Sequence, residues 1–321
     1  MSPPVNRKNS NLYILIFIIL LCTACGLLLA IVAYSLKGPQ EAAKTFDQSK
    51  QMLIAAKVLN HQGEFTLIQE DGSLLLAYLD KQEGILKAVQ DKKVAPATKE
   101  EIQQLAAWRI RPLLTDSEGN ISTLKAHNLS LADYLSSNKG GGYATLPHKL
   151  FYAILSNDAT VKNLSEEEVA KEMEKVSIIV IPVSGFGLWA PIYGYLAIQR
   201  KDADSVIGTS WYEHGETPGL GANITEAWWQ KQFYGKLIFQ EGSDGKTDFS
   251  TGEMGIIVVK GKVKDVFGAS PKSKSAVDGM SGATLTGDGV TKAYRDSLSP
   301  YRNFFIQLRK EEGNGTQATS T

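Results

Sequence analysis

The chain has 321 residues, which is enough for one large domain or two small ones with a buried core. Its 34 Lys and Arg residues are balanced by 34 Asp and Glu residues, so the formal net charge at pH 7 is +0. No basic field is available to hold a phosphate backbone, so we predict that the protein has no nucleic-acid partner.

The first predicted element is a membrane-spanning helix. No charged residue lies between Lys8 and Lys37, and residues 12–36 form an apolar run. A helix needs about 20 apolar residues to cross a hydrocarbon core roughly 30 Å thick, so this run can span a bilayer. The alternatives are a cleaved signal peptide, whose apolar core is shorter at about 7–15 residues, and a lipoprotein site at Cys25, beyond which the apolar run continues. We assign residues 1–37 to an N-terminal segment and transmembrane helix.

Cys22 and Cys25 are the only cysteines of the chain, and both lie inside the apolar run. Their spacing matches a C-x-x-C redox pair, but small, soft residues in a lipid-spanning helix are more often packing residues. Because the rest of the chain has no cysteine, a disulfide framework and a four-cysteine metal site are excluded. We predict no metal ligand in this chain.

Residues 38–145 are predicted to form a connector helix followed by an insert. A polar stretch with helical spacing follows the apolar run, and the short apolar segments FTLI and LLLAYL then lie between turn residues over 61–95. This second pattern is typical of a small β-rich segment. Thr98 followed by Glu101 forms a capping-box pattern, which predicts a helix that ends before Pro112.

Residues 146–310 are predicted to form the main domain. The segments LFYAIL, SIIVIPV and IYGYLAIQ are rich in β-branched and aromatic residues, so they predict strands. Further elements are predicted in chain order: a short helix from Ser165, a helix over 224–234, a strand from Glu253 and a long helix over Leu285–Leu298. Clustered strands and helices favour an α+β fold over a doubly wound parallel sheet. The polar tail, residues 311–321, is predicted to be disordered.

The stretch DGMSGATLTGDGV, residues 278–290, concentrates three hydroxyls among small residues immediately before the last long helix. A serine or threonine nucleophile needs a base within hydrogen-bond reach, and no histidine lies near this stretch in sequence. The G-x-S-x-G pattern of hydrolases, the P-loop pattern and the dinucleotide pattern G-x-G-x-x-G are absent. The residues alone indicate a turn and a helix start, capped by Ser281, Thr284 or Thr286.

The sequence DGMSGAT, Asp278–Thr284, resembles the D-G-x-[ST]-[GA]-A-T motif of proteins that carry covalent FMN. In that family the final threonine, here Thr284, carries the flavin through a phosphoester bond. A dedicated flavin transferase forms this bond, which explains a hydroxyl without an internal base. The resemblance implies one FMN per chain, with its phosphate near the amino end of the last long helix, where the helix dipole favours negative charge. Thr286 is the rival acceptor, and we assign it a capping role.

Two further stretches resemble one branch of this superfamily. HGETPGLG, His214–Gly221, is similar to a loop shared by the NqrC family of the sodium-pumping NADH:quinone reductase and its Rnf-complex counterpart, and GFGLW and IYGYLA, within 185–197, resemble signatures of the former. The resemblance implies cofactor contacts from these residues: Leu188, Trp189, Glu216, Thr217, Gly219, Leu220, Asp278, Ser281, Gly282 and Ala283. Glu216 is predicted either to bind the flavin edge or to hydrogen-bond its own loop. His214 is interpreted as a loop residue satisfied by backbone.

The resemblance implies an electron-transfer flavoprotein subunit of a membrane Na⁺-translocating NADH:quinone reductase. Its implied partners are the other subunits, the membrane and, during maturation, the flavin transferase. A bacterial inner membrane with the soluble domain on the periplasmic side is implied by the resemblance alone, since the charges flanking the apolar run do not determine orientation. No acidic residue lies in the apolar run, so we do not expect this chain alone to translocate sodium, and we assign no catalytic residue. The alternatives are a flavoprotein of the Rnf-type electron-transport complex and a cofactor-free, membrane-anchored interaction domain.

Overall fold

The computed structural model describes residues 7–69, 72–89, 94–140 and 142–318. The chain divides into two compact units, Met1–Asp47 and Gln48–Thr321. The α-helices have these bounds: α1 Arg7–Ala55, α2 Lys99–Arg109, α3 Leu131–Asn138, α4 Glu166–Lys171, α5 Ala227–Gln230, α6 Val263–Phe267, α7 Thr284–Leu298 and α8 Arg302–Ala318. The strands have these bounds: β1 Phe65–Ile68, β2 Leu74–Asp80, β3 Ile85–Ala88, β4 Ile110–Thr115, β5 Ile121–Ser122, β6 Lys149–Leu155, β7 Val176–Phe186, β8 Pro191–Gln199, β9 Val206–Glu213, β10 Ile257–Val258 and β11 Ala276–Val277.

The first helix, α1, contains the segment predicted to span the membrane. It has 49 residues and continues through Pro39 without a break. Over Asn11–Ala55 its most apolar window has a mean hydropathy of 3.1, and none of that window is buried by the protein. Within the described residues, α1 is the one helix long and apolar enough to cross a bilayer. The connector predicted after residue 37 begins as a continuation of the same helix.

A six-stranded antiparallel sheet forms the centre of the second unit, with the strand order β5-β4-β6-β7-β8-β9. Strands β6, β7 and β8 are the three predicted from β-branched and aromatic runs, and this prediction is confirmed. β7 and β8 form a long hairpin whose register ends at Phe186↔Pro191, so residues 187–190 make the turn. The sheet and the helices that pack on it confirm the predicted α+β fold.

The two faces of this sheet bury separate cores because side chains alternate along a strand. On β7, Ile179, Ile181 and Val183 share a core with residues of α7 and α8. Ile178 and Val180 belong to the opposite core, which includes residues at the end of α1. Because α7 packs along β7, the amino end of α7 lies beside the β7–β8 turn. We call the first of these faces the α7 face.

Residues 38–145 do not form a separate insert, because part of this region belongs to the central sheet. All six residues of β4 pair with β6. The boundary predicted between residues 145 and 146 therefore divides a continuous sheet. The β-rich segment predicted over 61–95 is present as the antiparallel sheet β1-β2-β3. The predicted capping box is also present, with Thr98 and Glu101 exchanging hydrogen bonds at the start of α2.

The strand predicted from Glu253 is much shorter in the structure. β10 has two residues and pairs in parallel with β11. Gly255 has a φ of 118° and Gly261 a φ of 104°, and such left-handed backbone interrupts an extended strand on either side. The helix predicted over 224–234 is likewise divided into short helical turns, with α5 as its α-helical part.

The described part of the tail, residues 311–318, is helical, so the prediction of disorder is wrong for these residues, and residues 319–321 lie outside the described residues. α8 continues to Ala318, which includes most of residues 311–321. Arg200, whose side chain is nearly buried, pairs with Glu311 and with Glu312 on this helix. These pairs join the polar tail to the sheet. Because their partner is more than a hundred positions away in the chain, the composition of the tail does not reveal them.

Candidate functional site

The attachment motif forms a turn that leads into α7. Gly282 has a φ of 72°, in the left-handed region that favours glycine, and the buried Ala283 follows as the N-cap residue. No side chain caps this helix, and its first turn has no acidic residue. The N–H groups at the start of a helix have no intrahelical partner. They therefore present partial positive charge to an anion bound there.

The two threonines of this turn have opposite environments. Thr284 is the first residue of α7 and is exposed, whereas Thr286 is 1% exposed. A helix turns by about 100° per residue, so side chains two positions apart point about 200° apart. The Thr286 hydroxyl donates to Glu216 Oε2 at 2.5 Å. Thr286 thus lies in the first turn of α7, on its buried face, and contacts a buried carboxylate. Because its hydroxyl caps no backbone N–H of the helix, the capping role predicted for it is wrong.

Glu216 joins three segments of the chain. It is 5% exposed, and its Oε1 accepts hydrogen bonds from Leu188 N at 2.9 Å and Trp189 N at 3.1 Å. With Thr286 on Oε2, this one carboxylate connects the β7–β8 turn, its own loop and the first turn of α7. The carboxylate therefore bonds two other segments of the chain and not its own loop, which differs from the loop-bonding role predicted for it, and its contact with the flavin edge stays a prediction. We call Glu216, Thr286 and the two turn N–H groups the carboxylate clamp.

The loop over His214–Gly221 folds back on itself beside the clamp. His214 Nδ1 accepts from Glu216 N at 3.2 Å, which matches its interpretation as a loop residue satisfied by backbone. The Thr217 carbonyl accepts from Leu220 N at 3.1 Å, and Gly219 has a φ of 76°. A side chain on Gly282 would meet Leu220 Cδ2 at 2.9 Å, so the exposed Leu220 lies directly against the attachment motif.

Asp278 holds the start of the motif. Its Oδ1 accepts from Val263 N at 2.8 Å, and its Oδ2 pairs with Lys262 Nζ at 3.0 Å. Burial by itself would raise the pKa of Asp278, but the Val263 N–H and the Lys262 ammonium outweigh it and hold the pKa below its usual range. Both carboxylate oxygens have protein partners, so Asp278 shapes the loop. Ser281 is exposed, and neither its hydroxyl nor that of Thr284 hydrogen-bonds to a described residue.

Exposed apolar side chains surround the start of α7. The large ones are Phe186, Leu188, Trp189, Leu220 and Leu285. Trp189 is the most exposed of them, at 67%. The end of β7 lies directly against α7 at Gly289. A Cβ at this position would come too close to Phe186 O, so any residue larger than glycine would overlap this carbonyl. Contiguous exposed apolar side chains mark a binding surface. We call this set the apolar rim.

Sequence reasoning identifies part of this surface. It gives Leu188, Trp189 and Leu220, but it misses Phe186 and Leu285. Leu285 directly follows Thr284, at about 100° from it on the helix, and both residues are exposed. Trp211 and Trp229, by contrast, are buried in the core on the α7 face. No group of three His, Cys, Asp or Glu side chains in the described residues could hold a metal ion.

Comparison with known proteins identifies the family of this chain. The FMN-binding domain family matches residues 187–299, which include the β7–β8 turn, the His214–Gly221 loop and all of α7. The NqrC subunit of the Na⁺-translocating NADH-quinone reductase of Chlamydia caviae is 42% identical over 317 residues, covering 98% of each chain. Its counterpart from Chlamydia pneumoniae is 45% identical over 302 residues, covering 94% of this chain and 93% of that one. The crystal structure of Shewanella oneidensis NqrC is 25% identical, with a TM-score of 0.45 over 68% of this chain and 92% of that one. The chain therefore belongs to the NqrC family of Na⁺-translocating NADH-quinone reductase subunits and contains its FMN-binding domain.

Proposed function

We propose that this chain carries one FMN, esterified through its phosphate to Thr284, and relays electrons within a membrane Na⁺-translocating NADH:quinone reductase. The observation that carries the proposal is the exposed Thr284 hydroxyl at the uncapped amino end of a 15-residue helix. The rival acceptor, Thr286, is buried and donates its hydroxyl proton to Glu216, so it is not accessible to a modifying enzyme.

The residues around Thr284 fit both parts of FMN. The first-turn N–H groups of α7 suit a phosphate, because no side chain and no acidic residue competes for them. The apolar rim suits a flat aromatic ring, and Trp189 and Leu188 are the side chains best placed to pack against it. The remaining motif residues contribute small size and backbone shape, as Gly282 and Ala283 do at the turn.

FMN supplies the redox chemistry when it is bound, and the protein supplies its position and surroundings. Glu216 keeps the β7–β8 turn and the start of α7 at a fixed separation, so the rim and the phosphate site hold their relative geometry. Trp189 and Leu188 would cover one face of a flavin ring bound at the apolar rim. Attachment through the phosphate retains the cofactor and raises its effective concentration at partner subunits.

α1 and the relatives support the membrane context of the proposal. A long apolar helix at the amino end supports a single-pass anchor. The relatives are named as one subunit of a reductase, which supports assembly with other subunits. We propose the bacterial inner membrane, with the flavin domain on the periplasmic side, and a flavin transferase as the partner in maturation.

An Rnf-type flavoprotein is the nearest alternative, since it shares the attachment motif and the His214–Gly221 loop. The GFGLW signature and the near full-length similarity to NqrC favour the reductase. Purification of the intact membrane complex and identification of its components by mass spectrometry separates the two. The other components of the Na⁺-translocating reductase would support the proposal, and an Rnf set would contradict it.

The covalent bond is tested by fluorescence of the denatured chain in a gel under ultraviolet light. The chain is produced with an active flavin transferase, alongside Thr284→Ala and the matched control Ser281→Ala, which removes a second exposed hydroxyl of the same motif. We expect fluorescence from the unmodified sequence and from Ser281→Ala, and none from Thr284→Ala. The Thr284 peptide should be heavier by one FMN less one water.

Two results would contradict the covalent assignment. The first is a fluorescent Thr284→Ala chain, which would place the flavin elsewhere. The second is a dark wild-type chain from cells in which the transferase labels another substrate, and this would favour the cofactor-free interaction domain. A Thr284→Ser variant keeps a hydroxyl at the same helix position, so it reports whether the transferase also requires the threonine methyl.

A further inference from the structure

A cavity of about 400 Å³ lies away from the flavin site, on the opposite side of the central sheet. It is bounded by β1 and β3, by α2 and by the sheet residues Ile154, Ile178 and Ile207, which belong to the core remote from α7. Sites for small molecules typically have volumes of about 300–1,000 Å³ and mostly apolar walls. This cavity meets both conditions, and nothing in the proposed electron relay uses it.

Arg109, at the end of α2, is a buried cation in the wall of this cavity. It is 4% exposed. Its Nη atoms donate to the Gly84 and Leu155 carbonyls and to Asn157 Oδ1, but its Nε has no hydrogen-bond partner among the described residues. Burial lowers the pKa of Arg109 to about 10, with the nearby Asp158 acting in the opposite direction, so the group stays charged at neutral pH. Its hydrogen-bond partners in the described chain are all neutral.

Lys57 supplies a second cation to the same cavity from a strained backbone position. Its φ is 57°, and it ends α1 with hydrogen bonds from Lys57 N to Ile54 O and from Val58 N to Leu53 O. Glycine is the residue that takes this helix-ending conformation without steric cost. No hydrogen bond or ion pair to Lys57 Nζ occurs among the described residues, and burial lowers its pKa. A strained residue with an unpaired charge at a cavity is typical of a functional site.

We propose that this cavity binds a free carboxylic acid with a hydrocarbon body, and that Lys57 holds its carboxylate, while the buried charge of Arg109 favours an anion in the cavity. Two cations near apolar walls are costly unless an anion accompanies them, and none of the described residues that line the cavity is acidic. The neutral amide of Asn157 is already engaged with Leu86 and Arg109, so it offers no competing acceptor. The volume suits one hydrocarbon chain and not the two chains of a phospholipid.

The proposal is tested by titrating the full chain, in lipid nanodiscs, with carboxyl-labelled octanoate followed by NMR. Empty nanodiscs give the contribution of the bilayer, and octanol gives that of the hydrocarbon body alone. We expect saturable octanoate binding above the nanodisc background. Octanol should bind about tenfold more weakly or worse, which is the loss expected when a charge-assisted interaction is removed.

Substitutions at Lys57 separate ligand binding from folding. Lys57→Gly removes the charge while it relieves the backbone strain, so the melting temperature should be unchanged or higher while octanoate affinity falls by about tenfold or more. Lys57→Arg should retain binding. Asn128→Gly is the matched control, because Asn128 also has a φ of 57° but does not line the cavity, and its octanoate affinity should equal that of the wild type.

Four outcomes would overturn the proposal. Equal octanoate affinity in the wild type and Lys57→Gly would show that the cation does not bind the carboxylate. Equal affinity for octanol and octanoate would reduce the site to an apolar void. Tighter binding of a short-chain phosphatidate than of octanoate would assign the cavity to a lipid headgroup and not to a free acid. A wild-type chain that binds no more octanoate than the empty nanodiscs likewise rejects the site.

Discussion

Replacement of Glu216 should show how much of the site depends on the carboxylate clamp. Glu216 accepts three hydrogen bonds while almost fully buried, from two backbone N–H groups and one hydroxyl. Glu216→Ala removes the acceptor and leaves these donors without a partner. Glu216→Gln keeps an oxygen for the two N–H groups and presents an amide N–H to Thr286, whose hydroxyl can rotate to accept it.

The magnitude follows from the number and kind of these bonds. A hydrogen bond to a charged group contributes about 1.5–3 kcal/mol, and buried donors left unpaired add to the loss. The three bonds go to one carboxylate, so their contributions to stability are not additive. We expect Glu216→Ala to lower the free energy of unfolding by about 3–5 kcal/mol. Glu216→Gln should cost about 1–2 kcal/mol, because it loses the charge but not the contacts. Thr286→Val should cost about 1.5–3 kcal/mol.

Urea unfolding of the full chain in detergent, followed by tryptophan fluorescence, measures these differences as shifts of the midpoint at constant slope. Glu174→Ala is the control, since Glu174 is exposed and its loss should change stability by no more than about 0.5 kcal/mol. The double variant Glu216→Ala, Thr286→Val should cost clearly less than the sum of its parts. If Glu216→Ala behaves like Glu174→Ala, or if the two substitutions add, the carboxylate does not organise the site.

Three more predictions concern a buried acid and two glycines. Burial raises the pKa of Asp204 to about 6 from its ordinary 3.8, so its contribution to stability is present below the unfolded pKa and lost as pH rises through the folded one. Asp204→Asn, which keeps an acceptor for Phe239 N, should raise the free energy of unfolding by roughly 1–3 kcal/mol at pH 7 and leave it nearly unchanged below the unfolded pKa, as urea titration at both pH values would show. Gly279→Ala should cost about 3 kcal/mol in the same assay, because its Cβ would overlap the Val259 carbonyl. Gly282→Ala should cost about 1–2 kcal/mol, because alanine is strained at a φ of 72°. If either glycine variant is as stable as the wild type, the steric argument for that position is wrong.

The strands that the sequence predicts correctly are those with continuous β-branched and aromatic runs. β4 is missed because Pro112 reads as a helix stop. β5, the outer neighbour of β4, pairs only with Leu114 and Thr115. Pro112 therefore has no strand partner on that side in the described residues, and its missing N–H is tolerated there as at a sheet edge. β9 is missed because its polar residues break the apolar pattern. Ser210 in β9 is buried and donates to Gln51 O at 2.8 Å, a partner 159 positions away that no local pattern reveals.

The site follows the same division between local and distant information. The motif that predicts attachment at Thr284 can be recognised in the sequence because its residues are consecutive in the chain. The link between Glu216 and Thr286 joins residues 70 positions apart, and a local pattern contains no sign of it. No motif indicates the cavity near Arg109, because its walls combine elements of the region predicted to be an insert with residues of the central sheet that are distant in the chain.

The helical period nevertheless holds a clue to the roles of the two threonines. Since Thr284 and Thr286 begin one helix, a separation of about 200° requires that one of them faces the core if the other faces solvent. An acceptor that a separate enzyme must reach has to be the exposed one, and a helix end that holds an anion has to resist fraying. The buried threonine meets the second requirement by fixing the first turn of α7 to Glu216. The proposal therefore needs both hydroxyls, one for attachment and one for rigidity, and Thr286→Val should weaken flavin attachment to Thr284 without abolishing it.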